Sequence, residues 1–489
     1  SGMVDKVDME DRPVHLYFSK VDAETGEEIE EGRYSLTDAE TGNVIHDFTK
    51  EKGEKFSIPA ELIVPGKEYI IKEECSPEGY AYEKEIRFTA EESGIPETII
   101  MQDRKTEVEI KKVDEETGEL LSGGRFSIRE KETGTVIKTF TPEGKPYLLK
   151  GLLIAGAAYE LVEEEPPAGY AFSQSVDFIV PEEPEPITII MKDRKTEVLV
   201  KKFAKDIRRG TPSEASPSEA DRPLAGSVLQ ILNEDKTPTR ALREGNGLKA
   251  GDSIIFTTQD QFKYLSGQLE AGKSYWLHEV SPADGYAYAD DIPFTVSLYG
   301  DEDTVIMVDD PTHVILSKKA ITGDEELPGN HMSITDKDGK VIEDWISGEQ
   351  PYEVIGKLIA GEIYYFHELI PKQGYAYGAD VAFTVSKDGS VDMVEMKNDV
   401  TKIWIHKVSA SGGLLKGAVL QILDATKKTV IKEFETTGEP FDITGVLLAG
   451  ETYYLHEAKA PAGYLLSSDI PFTVPKGAEL IEVKMIDQK

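Results

Sequence analysis

Apolar and polar residues alternate in short runs along nearly the whole chain, and many of these runs end on a charged residue that falls on the apolar side. Five runs share one form: Leu16-x-Phe18-x-Lys20, Val108-x-Ile110-x-Lys112, Val198-x-Val200-x-Lys202, Val314-x-Leu316-x-Lys318 and Ile403-x-Ile405-x-Lys407. Strict alternation over four to eight residues predicts half-buried β-strands, in which residues two apart share a face. A second form is written most cleanly as Tyr453-Tyr-Leu-His-Glu-Ala-Lys-Ala-Pro-Ala-Gly-Tyr464. It recurs at Tyr69 to Tyr80, Tyr159 to Tyr170, Tyr275 to Tyr286 and Tyr364 to Tyr375. Here Glu73, Glu163, Glu279, Glu368 and Glu457 lie on the same side of the strand as a Tyr and an aliphatic residue. A third form closes each unit: Ile99-x-Met101-x-Asp103, Ile189-x-Met191-x-Asp193, Val305-x-Met307-x-Asp309, Val394-x-Met396-x-Asn398 and Val483-x-Met485-x-Asp487.

Five occurrences at fixed spacing mean five tandem domains of about 90 residues each. The boundaries expected are 12–104, 105–194, 195–310, 311–399 and 400–489. Between the strands lie turn signals such as Asp22-Ala-Glu-Thr-Gly26, and a Phe-centred strand (Phe88, Phe178, Phe294, Phe383, Phe472) follows each Glu strand. Short strands, frequent turns and no long amphipathic helix predict an all-β chain of Ig-like β-sandwiches. From each closing Asp or Asn to the next Lys the distance is nine residues in all four cases, so the domains form a tightly joined, elongated string. The third unit is longer, partly through the Pro/Ser-rich tract Ile207–Ala220, which reads as a surface loop.

The net charge is −37, spread along the chain, which argues against nucleic acid as a partner. No apolar run approaches the length of a membrane helix, and Ser1-Gly2-Met3 reads as a cloning remnant. The single cysteine, Cys75, excludes disulfides within the chain and reads as an exposed position. The Asp-rich turns lack the ligand spacing of calcium loops, so no metal and no cofactor are expected. His278, His367 and His456 sit one residue before the Glu, hence on the opposite face, and no zinc-site pattern accompanies them. An enzyme acting on outside substrates is therefore not expected.

The inward Lys, Glu and Asp or Asn fall at the ends of three strands. If those ends meet, one reading is a buried ion triad, a poor source of stability because of its desolvation cost. The other is chemistry within the triad. Desolvation lowers a lysine pKa and raises a carboxyl pKa, which leaves a nucleophilic amine beside neutral acids. The amine can attack the Asp or Asn carbonyl while the protonated Glu polarises it and relays protons to the leaving water or ammonia. The product is an isopeptide bond.

Lys-x-Asp near the start, Leu-x-Gly-Ala, Tyr-x-Leu-x-Glu-x5-Gly-Tyr and Met-x-[Asp/Asn] together resemble the collagen-adhesin B-type domains of Gram-positive surface adhesins and pilins, over essentially residues 12–489. The resemblance implies prealbumin-like sandwiches with self-formed bonds Lys20–Asp103, Lys112–Asp193, Lys202–Asp309, Lys318–Asn398 and Lys407–Asp487. Glu73, Glu163, Glu279, Glu368 and Glu457 would be the respective catalysts. Ala204, Ala320 and Ser409 depart from the Lys-x-Asp pattern. The function implied is a stalk segment of a cell-wall-anchored, extracellular adhesin or pilin, monomeric as a fragment, with other pilin or adhesin subunits or a host extracellular protein as partners. An alternative is ligand recognition by the domains themselves, with the third-unit loop as the surface. Val474-Pro-Lys-Gly477 resembles a pilin-linking lysine motif, but it falls where every repeat has a strand end.

Overall fold

A computed structural model of the chain describes residues 13–29, 32–51, 55–81, 83–205 and 223–489. The expected boundary at residue 12 and the tract Ile207–Ala220 lie outside the described residues. Those residues form short strands and no α-helix, arranged as tandem prealbumin-like sandwiches in a string. In the second unit a four-stranded antiparallel sheet runs in the order Val136–Phe140, Arg125–Glu130, Ala158–Glu165, Val176–Ile179. A three-stranded sheet runs Tyr147–Lys150, Glu107–Asp114, Ile187–Asp193. The other units repeat this pairing, and the first adds Tyr80–Ala81 at the edge of its smaller sheet.

The alternation seen in the sequence is what builds the core. Glu107–Asp114 alternates between half-buried and buried positions along its whole length. Its inward residues Val108 and Ile110 pack with Phe126, Ile128, Tyr159, Leu161 and Met191 from three other strands. Each unit has its own cluster of this kind. Such separate cores are what sheet faces with a two-residue repeat produce when each pair of sheets closes over itself.

The opening and closing strands of each unit are parallel neighbours. In the first unit Leu16–Asp22 pairs in parallel with Glu97–Lys105, with Lys20 opposite Met101 and Asp22 opposite Asp103. The same register sets Lys112 opposite Met191, Lys202 opposite Met307, Lys318 opposite Met396 and Lys407 opposite Met485. Each lysine is thus two residues short of the closing Asp or Asn, at the same end of the sandwich.

Consecutive units meet through backbone. The Thr106 N–H donates to Gly79 O at 2.9 Å, its hydroxyl donates to Leu153 O at 2.8 Å, and Gly151 N–H donates to Thr106 O at 2.9 Å. Thr196, Thr312 and Thr401 make the corresponding bonds at the next three joints. Gly79, Gly169, Gly285 and Gly374 carry positive φ, and a Cβ on any of them would lie 2.1–2.5 Å from the carbonyl oxygen of a glycine in the following unit. The Gly of the Gly-Tyr signature therefore permits the turn and the close approach together.

Candidate functional site

The glutamate strand packs antiparallel on the strand that follows the opening turn, and its register shifts at one place in every unit. Tyr34 pairs with Glu73 and Arg33 with Cys75, so Glu74 is an extra residue. The same shift falls immediately after Glu163, Glu279, Glu368 and Glu457. A β-bulge bends its strand and re-aims side chains locally. Here it lies where the apolar row gives way to the glutamate.

The structure brings together all five lysine, glutamate and aspartate or asparagine sets. Lys20 Nζ lies 2.9 Å from Glu73 Oε2 and against Asp103 Oδ1. Lys112 lies 2.9 Å from Glu163, Lys202 2.7 Å from Glu279, Lys318 3.0 Å from Glu368 and Lys407 2.8 Å from Glu457. Each of these amines also touches Oδ1 of its closing residue, Asp193, Asp309, Asn398 or Asp487. The lysine and glutamate side chains are at most 2% exposed. Apolar walls add to the desolvation, with the Phe126 ring 4.9 Å from Lys112 Nζ and the Tyr34 ring 5.9 Å from Lys20 Nζ.

Burial sets the electrostatics. It pushes the Glu73 and Glu163 carboxyls up to about 7 against the pull of the neighbouring lysine, and Asp309 likewise up to about 7. Asp103 and Asp193 are raised for the same reason, and the Lys318 amine is pushed down. Oδ2 of Asp103 and Asp193 is buried with no hydrogen-bond partner, an environment that favours its neutral, protonated form.

The fourth set differs in the way its chemistry requires. Asn398 Nδ2 donates to Glu368 Oε1 at 2.9 Å and to Oε2 at 3.0 Å, while Oδ1 faces Lys318. The nitrogen that would leave as ammonia is therefore held on the glutamate, and the carbon between it and Oδ1 is presented to the amine.

Three supporting contacts were not legible as such in the sequence. Tyr80 donates its hydroxyl to Asp22 at 3.0 Å and Tyr170 to Asp114 at 2.8 Å, which ties the Gly-Tyr signature to the Asp of Lys-x-Asp. With Ala204, Ala320 and Ser409 at that position, the last three units lack this acceptor. The backbone N–H ten residues after the glutamate donates to its Oε2 in four units: Ser173 at 2.6 Å, Ala289 at 2.8 Å, Gly378 at 2.8 Å and Ser467 at 2.7 Å. The first glutamate-strand Tyr of every unit accepts an N–H from five residues upstream, for example Ile154 to Tyr159 at 2.9 Å.

Other singled-out residues lie away from the triads. His278, His367 and His456 each place Nδ1 2.7 Å from an aspartate, Asp291, Asp380 and Asp469, on the outer face. Cys75 is an exposed free thiol at the end of its strand. Lys476 belongs to the last joint: its carbonyl accepts Tyr377 N–H at 2.8 Å and its amine sits 5.2 Å from the Tyr377 ring. Among the described residues no cluster of His, Cys, Asp and Glu could hold a metal ion, and no helix is long and apolar enough to cross a membrane.

Among solved structures the chain is similar to the Bacillus anthracis TIE protein, at 14% identity over 78% of this chain and 73% of that one, with a TM-score of 0.31. It is also similar to the shaft pilin SpaA from Lactobacillus rhamnosus GG, at 17% identity over 42% and 98%, with a TM-score of 0.23. A third is the streptococcal ancillary pilin, at 15% identity over 61% and 99%, with a TM-score of 0.25. No match was found among curated proteins. The model of the SpaA prealbumin-like fold domain matches residues 14–105, 106–195, 312–400 and 401–489. These stretches make up most of the sequence, and the chain belongs to the SpaA prealbumin-like fold domain family.

Proposed function

We propose that the chain is a structural stalk segment of a Gram-positive cell-surface adhesin or pilin, and that each repeat is closed by an isopeptide bond it forms itself. The repeats are 12–104, 105–194, 195–310, 311–399 and 400–489. The bonds are Lys20–Asp103, Lys112–Asp193, Lys202–Asp309, Lys318–Asn398 and Lys407–Asp487. The observation that carries this reading is that in all five sets a buried amine touches both a glutamate and the side chain that would acylate it.

The neutral amine attacks Cγ, and the Nζ–Cγ bond forms as Cγ–Oδ2 breaks, or Cγ–Nδ2 in the asparagine repeat. The glutamate gives its proton to the departing group and takes one back from Nζ, so it ends as it began. One water leaves per aspartate and one ammonia from Asn398. This is chemistry of the protein on itself, without cofactor or outside substrate. In the assembled surface structure the partners are other pilin or adhesin subunits or a host extracellular protein, and the location is the outside of the cell wall.

Intact mass tests the reading. The expected mass is that of the sequence less four waters and one ammonia, and a mass equal to the unmodified sequence sinks it.

A further inference from the structure

We propose that Ser173 and Ser467 are additional catalytic donors, whose hydroxyls stabilise the oxyanion formed as Lys112 and Lys407 attack; this rests on the bond-forming reading above. Each stands ten residues after its glutamate, and its backbone N–H fixes the glutamate Oε2 at 2.6 Å and 2.7 Å. The hydroxyl of each meets Oδ1 of the closing aspartate, at 2.6 Å between Ser467 and Asp487, and in contact between Ser173 and Asp193. In the second repeat Lys112 Nζ also lies 3.2 Å from Ser173 Oγ, so the serine is within reach of both nucleophile and acceptor.

Each hydroxyl has one proton and two acceptors in reach. The second is a backbone carbonyl, Lys192 O at 2.6 Å or Ile486 O at 2.9 Å. Before reaction the proton can serve either. When Nζ bonds to Cγ, negative charge gathers on Oδ1, and a hydrogen bond to an anion is roughly twice as strong as one to a neutral carbonyl. The proton then favours Oδ1, and the interaction is stronger in the transition state than before it, which is what accelerates a step. The charge is discharged as Oδ2 leaves as water: Cγ=Oδ1 reforms and the glutamate removes the extra proton from Nζ.

The other repeats handle this position differently. The third has Ala289, and Ser227 instead approaches Oδ2 of Asp309 at 3.5 Å. The fourth has Gly378, where a Cβ would lie 2.5 Å from Asn398 Oδ1 and 2.7 Å from Met396 Sδ, so the asparagine leaves no room for a serine.

The test uses the full chain made by cell-free synthesis, quenched in acid at intervals and digested, with the crosslinked peptide pair of each repeat quantified by mass. Ser467→Ala is expected to slow the Lys407–Asp487 bond by about 10- to 100-fold, somewhat less than the loss of a dedicated oxyanion donor. The other four bonds should keep their rates, and Ser467→Thr, which restores a hydroxyl, should recover most of the fifth. Ala289→Ser should speed the third repeat, a gain that misfolding cannot imitate. An unchanged fifth-repeat rate in Ser467→Ala, or no gain in Ala289→Ser, overturns this inference and leaves the proposed function standing. Absence of crosslinked pairs in the wild type overturns both.

Discussion

A lysine beside two carboxyl groups and a lysine beside one carboxyl and one amide hold different numbers of protons when poised to react, and this separates the repeats by pH. With aspartate as acceptor, the reactive set is a neutral amine with both acids protonated, two protons in all. Glu73, Glu163 and Asp309 are held near 7 by burial, so the second proton is present below that value and lost as pH rises through it. Bond formation in repeats one to three should therefore fall by about tenfold per unit above about pH 7. With Asn398 the reactive set holds one proton, the same number as the Lys318–Glu368 ion pair, so no fall is expected across that window. Quantifying each crosslinked pair during synthesis at several pH values checks this, and parallel profiles for repeats three and four would refute it. Glu368→Ala probes the same site. It removes the carboxylate that holds Asn398 Nδ2 and leaves nucleophile and acceptor in place. The fourth repeat should fold unbonded, its mass greater than wild type by one ammonia beyond the substitution, with the other four bonds intact. A crosslinked Lys318–Asn398 pair in that variant would remove Glu368 from the mechanism.

At the level of strands, the glutamate strand is held at one end by a tyrosine hydroxyl and at the other by the bulge. Tyr364 Oη accepts Ile359 N–H at 3.2 Å, and Tyr453 accepts Leu448 N–H at 3.2 Å, both hydroxyls lying over the turn that starts the strand. Tyr364→Phe keeps the ring in the core but strands that N–H, at a cost of about 1–3 kcal/mol. Faster hydrogen exchange at Ile359 is expected, with the Lys318–Asn398 bond still formed; unchanged exchange would show that the hydroxyl holds nothing. The strands, their inward faces and the placing of Lys318, Glu368 and Asn398 at strand ends were legible in the sequence, because a two-residue period fixes which side chains share a face. The bulge was not, since the extra residue is Glu74, Glu164, Val280, Leu369 or Ala458 and carries no common chemistry. Nor was the joint: Thr106 reads as an ordinary linker residue, and its acceptor Leu153 lies 47 residues further on. The role of Ser173 was hidden for a related reason, as the same position holds Ala289 and Gly378 in other repeats.

Along the whole chain, the parallel pairing of opening and closing strands sets the route of a pulling force. Through the proposed Lys20–Asp103 bond, tension entering at Leu16 would run along Leu16–Asp22 to Lys20, cross to Asp103 and leave toward the next opening strand. With the proposed bonds in place the strands between stay unloaded, and closing a loop of this size stabilises each repeat by about 4.5 kcal/mol if disulfide loop entropy transfers. Pulling should show no unfolding steps, whereas an unbonded repeat would release on the order of 270 Å of chain. How the repeats are held to one another is a separate matter, and Gly285 tests it. A Cβ there would lie 2.4 Å from Gly356 O, backbone that cannot move aside without opening the joint through Thr312. Gly463 has nearly the same φ, +88° against +87°, but nothing within 4 Å of its Cβ position. Both Gly→Ala variants therefore carry a similar left-handed backbone cost of about 1–2 kcal/mol, and only Gly285→Ala adds the collision. Spin labels on the outer faces of repeats three and four should report a broadened distance distribution in Gly285→Ala and an unchanged one in Gly463→Ala. The mass deficit should be the same in both, because the triads lie apart from the joint. Equal distributions in the two variants would mean that the glycine contact does not set the rigidity of the string.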